Sequence, residues 1–178
     1  MDLKQLFTMQ AELDKHIVDE KGLEGQDLTQ KKIIAFKVEL GEFLNEWRGF
    51  KFWSKDQTPR ISVPIKRWIG EIKRIVGFKN PLLEEYIDGV HFLLSIGIER
   101  GYDKWLEDQR KSDVSNSVTV MDFAEDIFNN PINSAGKWLK ALLDYISLGK
   151  ELGFSDEDIF NAYMDKNAVN HTRQESGY

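Results

Sequence analysis

The spacing of apolar residues along the chain is mainly that of amphipathic helices. Apolar positions recur every three or four residues over most of the sequence, which is typical of helices with one buried face. Alternating apolar and polar positions are few, and no Asn-Gly or Asp-Gly pair separates two alternating runs as in a hairpin. We predict helices over residues 2–18, 29–48, 63–76, 81–100, 119–129, 133–152 and 156–170. The expected fold is therefore all-α, a helical bundle.

Capping and turn residues support the helix boundaries. Asn80-Pro81 and Ser62-Val63-Pro64 each place a capping side chain at or just before a proline that can open a helix. Ser155 and Asp158 resemble a capping box. Helix-ending glycines follow three of the patterns, at Gly22, Gly101 and Gly153. Stretches 20–28, 49–61 and 103–117 are predicted loops, and the absence of a repeat or linker favours a single domain over residues 1–178.

Acidic residues border the apolar stripe of the second predicted helix. Glu39, Glu42 and Glu46 fall within about 60° of each other on a helical wheel, directly beside that stripe. Glu42 and Glu46 also form a like-charge pair four residues apart, which destabilises an isolated helix. This arrangement calls for a positive charge supplied from elsewhere.

The helix predicted over 81–100 is apolar almost all round, yet it carries four carboxylates, Glu84, Glu85, Asp88 and Glu99. No Lys or Arg lies between Pro81 and Arg100. Buried carboxylates are costly unless they are paired or bound to a metal ion. Two such helices predict an oxygen-rich site suited to Mg²⁺, a four-carboxylate site between two central helices. The alternative is structural, because acids stabilise a first helical turn and are common on helix surfaces.

Polar and cationic residues form one face at the end of the chain if the last helix continues. These residues are Lys166, Asn167, Asn170, Arg173 and Gln174. Amides and cations on one face are suited to binding a polyphosphate. The alternative is a solvated, frayed terminus.

Composition narrows the class of protein. The formal net charge is −6 and no Lys/Arg block exceeds two residues, so we expect no nucleic-acid binding. The chain has no cysteine, which fits a reducing cytoplasm, and its start has no secretory signal pattern. Apolar runs fall short of the ~18 residues of a membrane span, so we expect no membrane association.

Four segments carry a resemblance to a known family. ELGEFLNEWRGFKFW followed by EEYIDGVHF resembles the ExxE…ExxD signature of the MazG-like, all-α nucleoside triphosphate pyrophosphatases. QAELD near the start and YMDKNAVNHTRQESGY at the end resemble the first and last motifs of its dimeric dUTPase branch. The resemblance implies a homodimeric enzyme that hydrolyses dUTP to dUMP and pyrophosphate with Mg²⁺ and that could also accept dUDP.

The resemblance also implies roles for individual residues. The metal ligands would be Glu39, Glu42, Glu85 and Asp88. Of the first pair, which would be catalytic, Glu39 would orient and deprotonate the attacking water. The uracil would be surrounded by Gln10, Trp53 and His91 or Phe92, with Trp47 as a further candidate. The sugar and phosphates would be closed over by Lys166, Asn167, Asn170 and Arg173.

Two departures from the family pattern stand out. Asp14 occupies the position where the family usually has Asn, so its part in base recognition is open. The interval between Glu42 and Glu85 is longer than usual, and the helix predicted over 63–76 would fill it.

Other functions fit parts of the sequence. The nearest is the same chemistry on another nucleotide, as a dCTP/dUTP or broader house-cleaning pyrophosphatase. Asp88-x-x-His91 could form half of a di-metal oxidoreductase site, although no second such motif occurs. The chain could also be a helical interaction protein that retains acidic residues.

Overall fold

The computed structural model describes residues 2–105, 119–129 and 131–177. In these ranges the chain is mostly helical, with one two-stranded sheet. The helices are α1 (Leu3–Lys21), α2 (Thr29–Trp47), α3 (Pro81–Arg100), α4 (Val120–Asn129), α5 (Ala135–Glu151) and α6 (Asp156–Glu175). The strands are β1 (Val63–Ile69) and β2 (Ile72–Lys79), and a short 3-10 turn covers Asp103–Trp105. The rest of the loop predicted over 103–117 lies outside the described residues.

Helix α3 is the centre of the helical body and contacts α1, α2, α5 and α6. It is buried along most of its length, including Leu82, Ile87, Leu93 and Leu94, as its nearly continuous apolar sequence requires. Gly97 lets α5 come close, because an added Cβ would lie 2.3 Å from Cζ2 of Trp138. The position of α3 brings its carboxylates against α2.

The helix ends follow the capping residues in the sequence. The Asn80 side chain accepts a hydrogen bond from the Leu83 N–H, and Ser155 with Asp158 forms a complete capping box. Gly22 and Gly101 end α1 and α3 in the left-handed conformation, with φ of 60° and 64°. Six of the seven predicted helices are confirmed, with ends shifted by a few residues.

The helix predicted over 63–76 is wrong, because this segment forms an antiparallel β-hairpin. A two-residue turn joins the strands, and Gly70 has a φ of 64° at its first central position, as in type II′ turns. The register shifts between Ile65 and Lys66, so that Val76 is an extra residue opposite β1. The Ile- and Val-rich sequence favours a strand. The fold is therefore helical with one added hairpin, rather than purely α.

The hairpin, defined as residues 63–79, leaves large apolar side chains in solvent. Trp68, Ile72 and Phe78 are 68%, 57% and 65% exposed. Cross-strand neighbours Trp68 and Lys73 contact each other, with the ammonium 5.9 Å from the ring centroid. The hairpin thus contributes little to the buried core of the described chain.

Within the described ranges, none of the helices combines the length and the apolar character needed to cross a bilayer.

Candidate active site

Three carboxylates from two helices meet at the α2–α3 contact. Glu39 lies on α2, and Glu85 and Asp88 lie one turn apart on α3. One oxygen of each lies within 4.8 Å of the others, and all three side chains are partly buried. The packing of α2 against α3 therefore brings together three of the four predicted metal ligands.

Glu42, the fourth predicted ligand, is exposed and lies outside this group of three. Its charge is nevertheless one of the causes that raise the pKa of both Glu39 and Glu85. Glu42 thus borders the cluster.

The raised pKa values of the three carboxyl groups show that the cluster has too little positive charge to balance them. Burial raises the pKa of Glu39 to about 7, and the charges of Asp88, Glu42 and Glu85 act in the same direction. The pKa of Glu85 is also raised to about 7, by burial and then by its acidic neighbours. Burial raises the pKa of Asp88 as well. A carboxyl group whose pKa lies near neutrality is suited to accepting a proton.

The donor set of the cluster fits a hard divalent cation. Carboxylate oxygens are the ligands that Mg²⁺ uses in proteins, together with water and substrate phosphates. Three partly buried acids within one ion's reach are costly without a cation to offset their repulsion. Glu39, Glu85 and Asp88 could therefore hold such an ion.

Lys166 of α6 is the cation nearest to this group. Its Nζ donates to Asp88 Oδ2 at 2.5 Å, and the two side chains are only 17% and 15% exposed. This ion pair fixes the middle of α6 against α3. Asn170 and Arg173, one and two turns further along α6, lie beside the same opening.

A pocket of about 400 Å³ extends from the carboxylates between α1, α2, α3 and α6. At one end it is lined by Glu39, Asp88, Lys166, Asn170 and Arg173. Its middle is lined by Gln10, Asp14, Lys32, His91, Phe92 and Ser95. The pocket is also lined by apolar residues of α1 and of the loop that follows it, among them Ile17, Val18, Leu23 and Leu28. The volume and the lining suit a small molecule with a charged end and a partly polar body.

A chain of hydrogen bonds fixes the polar groups in the middle of the pocket. Gln10 Oε1 accepts from Tyr163 Oη at 2.8 Å and from His91 Nδ1 at 2.7 Å. The Gln10 Nε2 amide must then face Asp14, to which it donates at 2.7 Å. His91 also stacks on Tyr163 with the ring centroids 4.1 Å apart.

His91 is a neutral acceptor in this arrangement. Burial and the nearby charge of Lys166 lower the pKa of His91 to about 3. With Nδ1–H donating to Gln10, the buried Nε2 carries a lone pair and has no partner among the described residues. The ring therefore carries an unused acceptor atom in a residue that lines the pocket.

Three predicted site residues lie away from this pocket. Trp53 is 65% exposed and packs edge-on against Phe50 and Phe52. Trp47 packs against the core and covers Gly49. Asn167, the residue after Lys166 on α6, is buried, with only 7% of its surface exposed.

Three residues around the pocket were not predicted from the sequence: Lys32, Ser95 and Tyr163. A signal existed for the first two, because Lys32 lies seven residues before Glu39 and Ser95 seven residues after Asp88. Seven residues are two helical turns, so each shares a helix face with a cluster carboxylate. Tyr163 gave no comparable signal, since its role depends on how α6 packs against α1.

Comparison with known proteins bears on the same residues. A family model described as dUTPase matches residues 2–68 and 73–178, which include the three clustered carboxylates and the α6 residues of the pocket. Among curated proteins, none matches the chain. The family assignment sets aside the redox enzyme and the interaction protein as alternatives. The chain belongs to the all-α dUTPase family and is a hydrolase that acts on the phosphoanhydride bonds of a nucleotide.

Proposed function

We propose that the chain hydrolyses dUTP to dUMP and pyrophosphate with Mg²⁺ held by Glu39, Glu85 and Asp88. The observation that carries the proposal is the joining of the carboxylate cluster to a pocket of nucleotide size. Phosphate groups would lie at the carboxylate end and the deoxynucleoside would extend toward Asp14. Glu42 would add negative charge at the edge of the same site.

The protein's own groups would activate the water and hold the phosphates. Glu39 would take the proton of the attacking water as the new P–O bond forms. The bond between the α- and β-phosphates would break, and pyrophosphate would leave. Lys166 and Arg173 would bind phosphate oxygens, and the Asn170 amide would orient them. A bound Mg²⁺ would supply neutralisation of the phosphate charge.

The nucleoside would contact the middle of the pocket. The Phe92 ring would pack against it, and the Nε2 atom of His91 would accept a hydrogen bond from it. Gln10 and Asp14 would face the edge of the base. Trp47 and Trp53 lie elsewhere, so we leave both out of the proposed site.

The test is pyrophosphate release from a panel of dUTP, dCTP, dTTP, dATP and UTP, with Mg²⁺ or with EDTA. We expect turnover only with Mg²⁺, and the highest kcat/KM for dUTP. Equal rates for dCTP or for the whole panel would support a dCTP/dUTP or broader pyrophosphatase instead. Turnover that survives EDTA would contradict the metal site. Orthophosphate release from dUDP, the product expected when dUDP is hydrolysed to dUMP, would show whether the γ-phosphate is needed.

We propose further that the active form is a homodimer in which the hairpin contacts the second copy. An isolated two-stranded hairpin is only marginally stable in water, and this one exposes apolar residues on both faces. Residues 63–79 carry five basic side chains and one acidic side chain in a chain of net charge −6. The hairpin of each copy therefore complements the acidic body of the other, and a two-fold axis would repeat this contact.

Light scattering should give the wild-type chain a mass of twice 20.7 kDa. The double variant Trp68→Glu/Ile72→Glu should be monomeric, because it places charge on side chains that are already exposed in one copy. Val169→Glu, 47% exposed on α6, is the matched control and should stay dimeric. A double variant that remains dimeric would show that the hairpin is not the contact.

A further inference from the structure

We propose that Lys32 is a specificity-determining residue that makes the pocket select pyrimidines with an imide edge, uracil and thymine, over cytosine. The proposal rests on the proposed function, because it places the base of the nucleotide beside Asp14. It assigns a role to a residue of α2 that neither the family motifs nor the carboxylate cluster includes.

Lys32 is held between two acids inside the pocket. Its Nζ donates to Asp14 Oδ2 at 3.0 Å and to Glu99 Oε2 at 2.8 Å. The side chains of Lys32 and Asp14 are each 12% exposed and that of Glu99 is 21% exposed. An ammonium has three N–H donors, so one remains for a bound molecule.

Glu99 is itself fixed, which in turn fixes Lys32. Its other oxygen accepts the Leu28 N–H at 3.0 Å, at the N-terminus of α2. Burial opposes ionisation of Glu99, but the hydrogen bonds from Lys32 and Leu28 outweigh it, and the pKa of Glu99 is lowered. A charged Glu99 on α3 thus anchors the ammonium together with Asp14.

Every group around Asp14 donates toward it. Besides Lys32, Ser95 Oγ donates to Oδ2 at 2.5 Å and the Gln10 Nε2 amide donates to Oδ1 at 2.7 Å. Oδ1 accepts only one of these bonds and keeps a free lone pair. The pocket therefore offers an acceptor at Asp14, with unused N–H donors on Lys32 and on Gln10 beside it.

This pattern complements an imide. Uracil and thymine present a carbonyl, an N3–H donor and a second carbonyl along the edge used for base pairing. Cytosine presents an acceptor at N3 and an amino donor in place of the second carbonyl. Against cytosine, Asp14 would face the N3 lone pair and Lys32 would face an amino group. A polar site discriminates between two ligands because the wrong ligand leaves buried donors and acceptors of the site unpaired.

The distance between the hydrogen bonds around Asp14 and the carboxylate cluster fits a role for Lys32 in base recognition. Ser95 lies seven residues beyond Asp88 on α3, about 10 Å of helical rise, comparable with the length of a nucleoside. The carboxylate cluster and the Asp14 network thus stand at a spacing that a bound nucleotide can bridge. An Asn at position 14 could rotate its amide and present either a hydrogen-bond acceptor or a donor to the base. The Asp14 carboxylate can only accept hydrogen bonds.

The test is calorimetric binding of dUMP and of dCMP, which needs no turnover. Wild type should prefer dUMP. Lys32→Gln should lower dUMP affinity between about tenfold and a hundredfold, as expected for a lost charged hydrogen bond, and change dCMP affinity much less. Lys37→Gln, which removes a lysine from the same helix outside the pocket, should behave as wild type.

A second variant covers the case in which Lys32→Gln fails to fold because Asp14 is left uncompensated. Asp14→Asn/Lys32→Gln removes both charges, and its two amides can rotate, so it should bind dUMP and dCMP with similar affinity. The proposal is overturned if either folded variant keeps the wild-type preference, if both ligands weaken equally, or if wild type prefers dCMP. If the protein bound dUMP selectively but did not hydrolyse dUTP, the proposed reaction would be wrong and the proposed role of Lys32 in binding would still hold.

Discussion

Glu39→Gln should lower kcat for dUTP by about a thousandfold, because it removes the proton acceptor and replaces a charged metal ligand by a neutral amide. The amide is nearly isosteric, and it removes a partly buried carboxylate whose pKa is raised by burial and by the charges of Asp88, Glu42 and Glu85. We therefore expect the variant to fold, with a Tm in EDTA equal to or above that of wild type. Steady-state pyrophosphate release and thermal unfolding measure the two effects.

Glu46→Gln is the matched control on the same helix. The Glu46 carboxylate pairs with Arg60, at 3.3 Å, and lies outside the carboxylate cluster. Its kcat should stay within about twofold of wild type, since partly exposed ion pairs contribute little. If Glu39→Gln kept more than a tenth of wild-type activity, the role of Glu39 as base would be wrong.

The largest stability effect should come from Trp138→Ala on α5, which we expect to lower the free energy of unfolding by about 3–5 kcal/mol. Trp138 is fully buried, lies against Gly97 of α3 and packs edge-on against Phe7. Its Nε1–H also donates to the Leu93 carbonyl at 2.8 Å, and the variant would lose this buried hydrogen bond. Urea unfolding measures the change.

Trp53→Ala provides the comparison for the same loss of side chain at an exposed site. With Trp53 65% exposed, its removal should change the free energy of unfolding by no more than about 0.5 kcal/mol. A Trp138→Ala loss below about 1.5 kcal/mol would mean that α5 does not brace α3 as described.

The helices and the carboxylate cluster were predictable because both depend on local spacing. Glu85 and Asp88 lie one turn apart by sequence alone, and the apolar stripe of α2 sets which side of that helix meets α3. Asn80, Ser155 and the glycine caps act within a few residues of themselves. Such features need no knowledge of distant contacts.

The hairpin was missed because its apolar residues also satisfy helical spacing. Positions 65, 68, 69, 72, 75 and 76 recur every three or four residues, yet none of them is buried. A helical stripe has meaning only where a neighbouring surface can cover it. In this segment the Ile and Val residues favour a strand, and Gly70 allows the two-residue turn between the strands.

The exposed position of Trp53 and the hydrogen-bond network around Asp14 could not be predicted for the same reason. Trp53 was assigned to base contact from the family resemblance, but the path of the loop over 49–61 places it in solvent. The meeting of Asp14 on α1 with Lys32 and Ser95 depends on how three helices pack. Neither kind of long-range relation is encoded in the spacing within one helix.

The ion pair between Lys166 and Asp88 gives this enzyme a counter-ion of its own, tethered to the last helix. One elementary charge on a flexible stem offsets part of the repulsion among the acids while the chain assembles. Folding of the helical body thus does not have to wait for a dissolved cation. When a divalent ion and a nucleoside triphosphate bind, the Lys166 ammonium would leave the Asp88 carboxylate and pair with a phosphate group.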